Sequence, residues 1–149
     1  MTSVEPGIVD ANVLAYAMNA DASQHRFARF LLEAARDAST TLFVTSQILC
    51  EFYSLITNIR RFPKAVSAAE AVRILSALLA LPGLQVLPAP IPVVAGWMQL
   101  LQRHPVVGAD IFDLQIVATM LANGIQRIYT FNPSDFEFFG ELKVVVPSW

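Results

Sequence analysis

Residues 7–14 of the chain read GIVDANVL, a short apolar run that ends in a carboxylate and continues at once into a helical pattern. We interpret Gly7–Asp10 as a first β-strand and predict a helix from about Asn12 to Met18. A strand inside a parallel sheet is a short, nearly continuous apolar run, because both of its faces are covered. The strand therefore carries Asp10 to the edge of a sheet, where ligands bind in folds of this kind.

The same alternation of short apolar runs and longer helical patterns continues along the chain. Further strands are predicted at Thr41–Val44, Leu84–Leu87, Arg127–Thr130 and Lys143–Val146. Further helices are predicted at Gln24–Arg36, Ser46–Ile59, Ser67–Leu81, Pro92–Arg103 and Asp110–Asn123. Strands that alternate with helices predict a parallel sheet covered on both faces. We expect an α/β fold, a three-layer α/β/α sandwich with about five strands, in one domain over residues 1–149.

The composition is strongly apolar. Hydrophobic residues make up 55% of the 149 positions and charged residues 15%, which excludes a disordered protein. A membrane-spanning helix needs about 20 apolar residues, whereas runs such as Ile91–Met98 are short and interrupted by Pro92 and Gly96. No basic segment leads into an apolar run at the N-terminus, so we expect no secretory signal and no membrane association. The excess of apolar residues is expected to serve a partner or a dimer interface.

Cysteine and histidine usage excludes several kinds of site. Cys50 is the one cysteine, so an internal disulfide is impossible and a reducing, cytoplasmic compartment is expected. Because Cys50 falls in the middle of a predicted helix among apolar neighbours, we expect it to be buried and not nucleophilic. The two histidines, His25 and His104, are not at the spacing of zinc ligands. The chain contains neither a GxxxxGK[ST] phosphate loop nor a GxGxxG motif.

Twelve acidic residues are few enough to be considered one at a time. Asp10 ends the first strand, but it can equally cap the helix that follows. On the helix Ser46–Ile59, Glu51 lies at the edge of an apolar face formed by Ile48, Phe52, Leu55 and Ile59. A carboxylate at such a border is paired or bound to a cation, or it reaches water as a half-exposed side chain. Both interpretations of each residue remain open at this point.

The last predicted helix begins with two acids in one turn, Asp110 and Asp113. They share one side of the helix with three apolar residues, Leu114, Val117 and Leu121. Like charges this close raise one pKa unless a cation lies between them. The alternative is that Asp110 is the N-cap and Asp113 the acid of the third helical position, both favoured by the helix dipole.

Considered together, the acids indicate a metal site. Asp10, Glu51, the Asp110/Asp113 pair and Asp135 form four sites at strand ends and helix starts in a chain that is otherwise poor in charge. Asp135 follows a turn-forming Asn-Pro-Ser stretch, where a helix cap is the alternative interpretation. Carboxylates from several elements that meet in one crevice form a hard-oxygen site, which suits Mg²⁺ or Mn²⁺ better than zinc.

The distribution of basic residues is less informative. The chain has a net charge of −2 and is therefore not strongly basic, as a domain that binds nucleic acid often is. Arg60, Arg61 and Lys64 form a small basic cluster that we consider a candidate for phosphate contacts to RNA. The alternative is a solvated helix end, where cations are favoured by the dipole.

Four stretches of the chain resemble the motifs of PIN domains. Val9–Leu14 resembles the opening D-x-N/S motif, and Thr45–Phe52 resembles the second motif, in which a helix carries a glutamate. Phe112–Thr119 is similar to the third motif, an aspartate followed by an apolar helix, and Ile128–Phe136 is similar to the closing T-x-N/D-x-x-D-F segment. The four motifs extend over almost the whole chain. The short form most resembles the VapC-like toxins of bacterial and archaeal toxin–antitoxin pairs.

The resemblance implies a three-layer α/β/α fold and an Mg²⁺- or Mn²⁺-dependent endoribonuclease, usually dimeric and silenced by a small antitoxin protein. Carried over to this chain, it assigns Asp10, Glu51 and Asp113 as the catalytic and metal-binding acids. The same pocket is expected to contain four further side chains, Asn12, Asp110, Asn132 and Asp135. Many relatives have a fourth aspartate at the position of Asn132, so the resemblance leaves open whether Asn132 or Asp135 takes that role.

Two other functions compete with this expectation. A PIN fold that has lost catalysis and acts only through its partner and dimer surfaces does not need Asp10, Glu51 and Asp113, yet all three are present. A phosphotransfer domain of the dehalogenase type requires D-x-D, whereas Asp10 is followed by Ala11-Asn12. A receiver domain requires paired acids before the first strand end and a late lysine in the pocket, and neither pattern is found. Divalent-metal binding distinguishes the inactive module from the nuclease.

Overall fold

The computed structural model describes residues 3–149, and these contain a five-stranded sheet. Its strands are β1 Gly7–Val9, β2 Leu42–Thr45, β3 Leu84–Leu87, β4 Arg127–Tyr129 and β5 Lys143–Val145. They lie in the order β3-β2-β1-β4-β5, and every neighbouring pair is parallel. The predicted parallel sheet of five short strands is therefore confirmed.

Six α-helices connect the strands within residues 3–149. They are α1 Ala11–Ala17, α2 His25–Ala34, α3 Ser46–Ile56, α4 Ala68–Leu79, α5 Val93–Arg103 and α6 Asp110–Ala122. Right-handed crossovers place α1 to α4 on one face, since β1, β2 and β3 succeed one another across the sheet. The return from β3 to β4 places α5 and α6 on the opposite face. Helix packing agrees, because α1 contacts α2 and α3, whereas α5 contacts α6.

The sequence at the helix ends explains where several helices begin and stop. Asp10 caps α1 by accepting a hydrogen bond from the first backbone N–H of the helix at 2.8 Å. The Thr45 hydroxyl caps α3 by accepting from a backbone N–H of its first turn at 3.1 Å. Helix α6 has no side-chain cap, and Asp110 is its first helical residue, so the interpretation of Asp110 as the N-cap is wrong. Gly124, with φ +72°, lies in the left-handed region just beyond the end of α6.

Strands β1 and β2 and helix α6 lie deep in the core. Both strands are buried at every position, as expected for central parallel strands covered on two faces. In α6, buried residues occur on all sides between Leu114 and Met120. The apolar stripe predicted along this helix is therefore only part of a larger buried surface. Because close packing holds α6 in place, the acids of its first turn have a defined position relative to the sheet.

Helix α3 is shorter than predicted. It ends at Ile56 because Asn58 forms a turn whose side chain accepts a hydrogen bond from the backbone N–H of Arg60 at 3.0 Å. The Asn58 carbonyl accepts two further backbone hydrogen bonds at 3.0 and 2.9 Å. Local side-chain bonds of this kind compete with continuation of a helix. Ile59, expected on the apolar face, therefore lies in the turn and is 77% exposed.

Cys50 is exposed, so the prediction that it is buried is wrong. The buried residues of α3 are spaced four apart, at Ile48, Phe52 and Ile56, and face the sheet. Cys50 lies roughly half a turn from this face and therefore on the outer surface of the helix. A run of apolar residues thus does not reveal by itself which of them the fold covers.

The strand order reverses at β1. Strand β2 lies on one side of β1, whereas β4 lies on the other. The carboxyl ends of β1 and β4 therefore flank a topological switch point, which is where ligands bind in open parallel sheets. The register pairs Val9 with Tyr129, so Asp10 and Thr130 follow side by side at this edge.

Several apolar side chains are exposed on the surface that the structure describes. Between residues 3 and 149, no helix has the length and apolar character needed to cross a membrane. Exposed large apolar side chains occur on α4, on α5 and in the segments around α5, namely Val72, Leu79, Ile91, Val94, Met98 and Val107.

Candidate active site

Asp10 is buried at the switch point and its carboxylate is fully oriented by hydrogen bonds. The residue is 6% exposed. One oxygen accepts from the first N–H of α1, and the other accepts from the Thr130 hydroxyl at 2.8 Å and from Asn12 Nδ2 at 2.9 Å. Three donors from two different strand ends therefore set the direction of this acid. The cap and ligand interpretations of Asp10 are compatible, because capping uses only one of its two oxygens.

Thr130 and Asn12 connect the ends of β1 and β4. The buried Thr130 hydroxyl accepts from Asn12 Nδ2 at 3.2 Å and from the Asn132 backbone N–H at 3.0 Å. Asn12 Oδ1 accepts from the Phe131 backbone N–H at 2.9 Å. The side chains that hold Asp10 thus also direct the chain that leaves β4. Sequence reasoning gave Thr130 no role of its own, although a hydroxyl residue directly after an apolar strand was visible.

Glu51 is half-buried on α3, and Gln47 holds it. The side-chain amide of Gln47 lies one turn before Glu51 and donates to Glu51 Oε1 at 3.1 Å. The same amide donates to the backbone carbonyl of Phe112 at 2.8 Å. Gln47 therefore connects one acid to the start of α6, which carries the next. Sequence reasoning missed this residue, because the contact joins positions 65 apart in the chain.

Asp113 lies in the first turn of α6, where its side chain is half-buried. Asp110, in the same turn, is exposed and does not line the cleft that contains Asp113. We expected Asp110 to share the pocket, but the structure places its side chain outside the cleft. The first helical position of α6 turns this side chain to solvent. Its charge is nevertheless close enough to contribute to the raised pKa of Asp113.

One cleft of about 400 Å³ contains most of the predicted site residues. Its acidic part contains Asp10, Glu51, Asp113 and Asp135, together with Asn12 and Asn132. Of the basic cluster, Arg61 lines this cleft, whereas Arg60 and Lys64 do not. The cleft lies at the switch point between β1 and β4, where the strand order predicts a ligand.

The acids perturb one another's ionisation. Partial burial raises the pKa of Asp113 to about 7, and the nearby charges of Asp135, Asp10 and Glu51 contribute to the rise. Burial also raises the pKa of Glu51, against the opposing effect of its hydrogen bond from Gln47. Burial raises the pKa of Asp10 in the same way, although its three hydrogen bonds oppose this. Perturbed carboxyls that share a cleft are typical of functional sites.

The donors in the cleft have the chemistry of a site for a hard divalent cation. Asp10, Glu51, Asp113 and Asp135 all offer oxygen, and no basic side chain among residues 3–149 forms an ion pair with any of them. As the side chains stand, no three acidic, histidine or cysteine residues in this range are close enough to hold one ion together. A divalent ion bound here would require the acidic side chains to come closer together than they stand. The oxygen donors thus match Mg²⁺ or Mn²⁺ by chemical type, although their present spacing is too wide for three of them to hold one ion.

The sequence is similar to a known protein family and to proteins of known activity. Residues 7–138 match the sequence model of the PIN domain. The chain is 35% identical over 118 residues to VapC ribonuclease Mb2897 of Mycobacterium bovis and, equally, to Ribonuclease VapC43 of Mycobacterium tuberculosis. Each alignment covers 77% of this chain and 78% of the relative. The matched range of the family model contains all four acids of the cleft.

Solved structures share the fold at lower sequence identity. VapC20 of Mycobacterium tuberculosis, a sarcin–ricin loop cleaving toxin, has a TM-score of 0.64 and 21% identity, covering 91% of this chain and 95% of its own. VapBC2 from Rickettsia felis, bound to a promoter DNA fragment, has a TM-score of 0.64 and 18% identity, covering 97% and 100%. A toxin–antitoxin complex from Klebsiella pneumoniae has a TM-score of 0.62 and 18% identity, covering 95% and 98%. These likenesses concern the three-layer fold.

Proposed function

Since this chain belongs to the PIN-domain family, we propose that it is a metal-dependent endoribonuclease and the toxin of a toxin–antitoxin pair. The observation that carries the proposal is the convergence of four carboxylates from four separate elements on one cleft. They are Asp10 after β1, Glu51 on α3, Asp113 on α6 and Asp135 in the 3-10 turn Pro133–Asp135. The curated relatives of this chain are named as ribonucleases, which supports RNA as the substrate.

Asp10 and Asp113 would bind a magnesium or manganese ion directly, and Glu51 would bind it or orient the attacking water. When bound, such an ion supplies an activated water and charge relief for the phosphate that is attacked. An acidic cleft repels RNA by itself, so the ion is also needed for the substrate to approach. Asn132 and Asp135 also line the cleft, and of the two only Asp135 could act as a fourth carboxylate.

The chain's own residues position these groups and handle protons. Thr130 and Asn12 hold Asp10 in one orientation, and Gln47 holds Glu51. Because the pKa of Asp113 is about 7 in the metal-free cleft, its carboxyl retains a proton for part of the time near neutrality. Binding of a cation requires the carboxylate and therefore releases that proton. Ion binding is thus expected to strengthen as the pH rises through about 7.

The proposed partner is a small antitoxin protein. Support comes from the solved structures that share this fold, which include toxin–antitoxin complexes. The exposed apolar side chains around α4 and α5 offer a surface for a partner or for a second copy of the chain. A homodimer is part of the proposal, and sedimentation of the purified protein would test it.

Cleavage of total cellular RNA tests the proposed function. Purified protein, free of antitoxin, is incubated with Mg²⁺ or Mn²⁺ and, in parallel, with EDTA. We expect discrete fragments that depend on the divalent ion. Folded protein that cleaves no RNA with either ion would support the inactive binding module instead, and cleavage that persists in EDTA would exclude metal dependence.

Metal binding has a second readout that does not depend on activity. We expect saturating Mg²⁺ or Mn²⁺ to raise the melting temperature of the protein at about pH 8 by a few degrees, because a ligand that binds only the folded state stabilises it. The rise is measured by thermal unfolding against an EDTA reference. The Asp113→Asn variant should show a smaller rise. An equal rise in that variant would place the ion away from Asp113.

Gln47→Ala is expected to lower the cleavage rate about tenfold, as is typical when the hydrogen-bond partner of a metal ligand is removed. The Gln47 hydrogen bond lowers the pKa of Glu51, so its loss raises that pKa further. The acidic limb of the rate–pH profile should therefore move to higher pH. Gln99→Ala, an exposed change on α5, is the matched control. A uniform loss of rate without a shift of the profile would mean that Gln47 acts only on α6.

A further inference from the structure

The acids occupy only one part of the cleft. The remaining lining comes from the second half of α1 and the residues just after it, from the end of α3 and from the turn that follows α3. We call this part the Arg61 wall, and it consists of Tyr16, Asn19, Ser54, Leu55, Arg61 and Phe62. It contains no carboxylate, so the cleft has an acidic part and a separate part with one cation, polar groups and apolar surface.

The backbone of Arg61 is held firmly. Its N–H donates to the Asn58 carbonyl at 3.0 Å, and the N–H of Phe62 donates to the same carbonyl at 2.9 Å. The Phe62 side chain is buried and anchors the turn in the core. Val66 N–H donates to the Ile56 carbonyl at 2.9 Å, which ties the segment back to the end of α3. Arg61 therefore lines the cleft from a backbone position that these hydrogen bonds hold in place.

The positive charge of Arg61 is not paired with a carboxylate among residues 3–149. The residue is exposed, and the four carboxylates that line the same cleft form no ion pair with it. A guanidinium presents a planar set of donors that matches the oxygens of a phosphate. Once cations neutralise the acids, Arg61 is the basic side chain of the cleft that remains for an anion.

The other members of the Arg61 wall suit a nucleoside. Tyr16 is half-buried and its ring is held edge-on against Phe131, with 5.3 Å between the ring centroids. Aromatic side chains held in this way are the usual platform for an unstacked base. Asn19 and Ser54 add hydrogen-bonding groups. The cleft has a volume of about 400 Å³, which is within the range of small-molecule pockets.

We propose that the Arg61 wall is a binding site for one unpaired nucleotide next to the phosphate that is hydrolysed. Arg61 binds the phosphate of that nucleotide, and Tyr16 contacts its base. The inference rests on the proposed ribonuclease function and adds two residues outside the acidic group, Arg61 and Tyr16, that bind the nucleotide beside the cleavage position. Duplex RNA does not fit this site, because its bases are stacked and paired.

The test measures binding separately from cleavage. The probe is a short unstructured RNA of mixed sequence with phosphorothioate linkages and a fluorescein label, titrated with protein in Mg²⁺ at several salt concentrations. Fluorescence anisotropy compares the wild type with Arg61→Ala, Arg61→Lys, Tyr16→Leu and the control Arg60→Ala. Arg60 is the adjacent exposed cation that does not line the cleft. The same RNA annealed to its complement is the second probe.

We expect Arg61→Ala to weaken binding of the single strand about tenfold, the effect of one lost charged hydrogen-bond pair. It should also reduce the slope of log affinity against log salt by about 1, as the loss of one phosphate contact predicts. Arg61→Lys should retain part of the affinity, Arg60→Ala all of it, and Tyr16→Leu should weaken the single strand about fivefold or more. The duplex should bind weakly to every variant.

Two results would overturn the site. The first is Arg61→Ala binding the single strand like Arg60→Ala, and the second is equal weakening for single strand and duplex, which would make Arg61 an unspecific surface charge. Cleavage of unmodified RNA by the wild type is scored in parallel. A wild type that binds as expected but cleaves nothing contradicts the ribonuclease and leaves the nucleotide site standing. If the wild type cleaves RNA but Arg61→Ala binds the single strand as tightly as the wild type, only the nucleotide site is contradicted.

Discussion

Replacing Asp113 by asparagine is expected to lower metal-dependent RNA cleavage by at least about 100-fold, since loss of even a hydrogen-bond partner of a metal ligand costs roughly 10–100-fold. Asparagine preserves the shape of the side chain but removes the negative charge that would hold the ion. The half-buried position in the first turn of α6 accommodates an amide of the same size. The measurement is the rate of fragment formation at saturating Mg²⁺.

The same substitution is expected to stabilise the metal-free protein above neutral pH. The pKa of Asp113 is about 7 in the folded chain, against an ordinary value of 3.8. Between these values the folded state binds more protons than the unfolded state, so the free energy of unfolding falls as pH rises from about 4 to about 7. The full shift corresponds to about 4 kcal/mol, which solvent screening of a half-exposed carboxyl reduces to about 1–2 kcal/mol. Asparagine cannot ionise and escapes this loss.

Opposite effects on activity and stability distinguish a lost site from a damaged fold. Chemical unfolding in EDTA at about pH 5 and about pH 8 measures the stability, and the difference between the two pH values should be smaller for Asp113→Asn than for the wild type. Asp21→Asn, the same change at an exposed acid outside the cleft, is the control and should alter neither quantity. Wild-type cleavage rates in Asp113→Asn would show that the reactive site lies elsewhere.

Thr130→Val is expected to lower cleavage roughly 10–100-fold and to reduce the free energy of unfolding by about 2 kcal/mol. Valine matches threonine in shape but removes the hydroxyl that donates to Asp10 and accepts from Asn12 and Asn132. Asp10 then loses one of its three donors, and the chain after β4 loses an anchor. Rates under saturating Mg²⁺ and denaturant unfolding in EDTA measure the two effects.

The matched control for Thr130→Val is Thr119→Val. Thr119 is also buried, but its hydroxyl donates only to the Gln115 carbonyl within α6. It should cost some stability and leave cleavage unchanged. Thr130→Ser keeps the hydroxyl and should recover most of the rate. If Thr130→Ser is as inactive as Thr130→Val, packing of the methyl group matters more than the hydrogen bonds.

Much of the fold could be predicted because the buried strands carry their pattern in consecutive residues. Leu84–Leu87 was placed at its observed bounds, and the other four strands were placed to within one residue at each end. Asp10, Glu51 and Asp113 were found because each belongs to a local motif, at a strand end or in a defined turn of a helix. The structure brings all three to one cleft, as expected.

The residues that escaped prediction act over long separations or depend on where a helix stops. Gln47 was missed because its two contacts lie on different helices, and one of them is far away in the chain. Arg61 could not be separated from Arg60 and Lys64 until the turn at Asn58 showed which of the three faces the cleft. Cys50 was misjudged because local hydrophobicity does not state which side of α3 the fold covers.

Because β1 pairs with β4, the active site can form only late during synthesis of the chain. The bond between Thr130 and Asp10 joins residues 120 apart, so most of the chain must leave the ribosome before the site can close. Contacts of such high sequence separation form late, because the ordering of the intervening loop has to precede them. A nascent chain that ends before β4 therefore lacks an assembled centre. An assembled active site therefore appears only when synthesis of the chain is nearly complete.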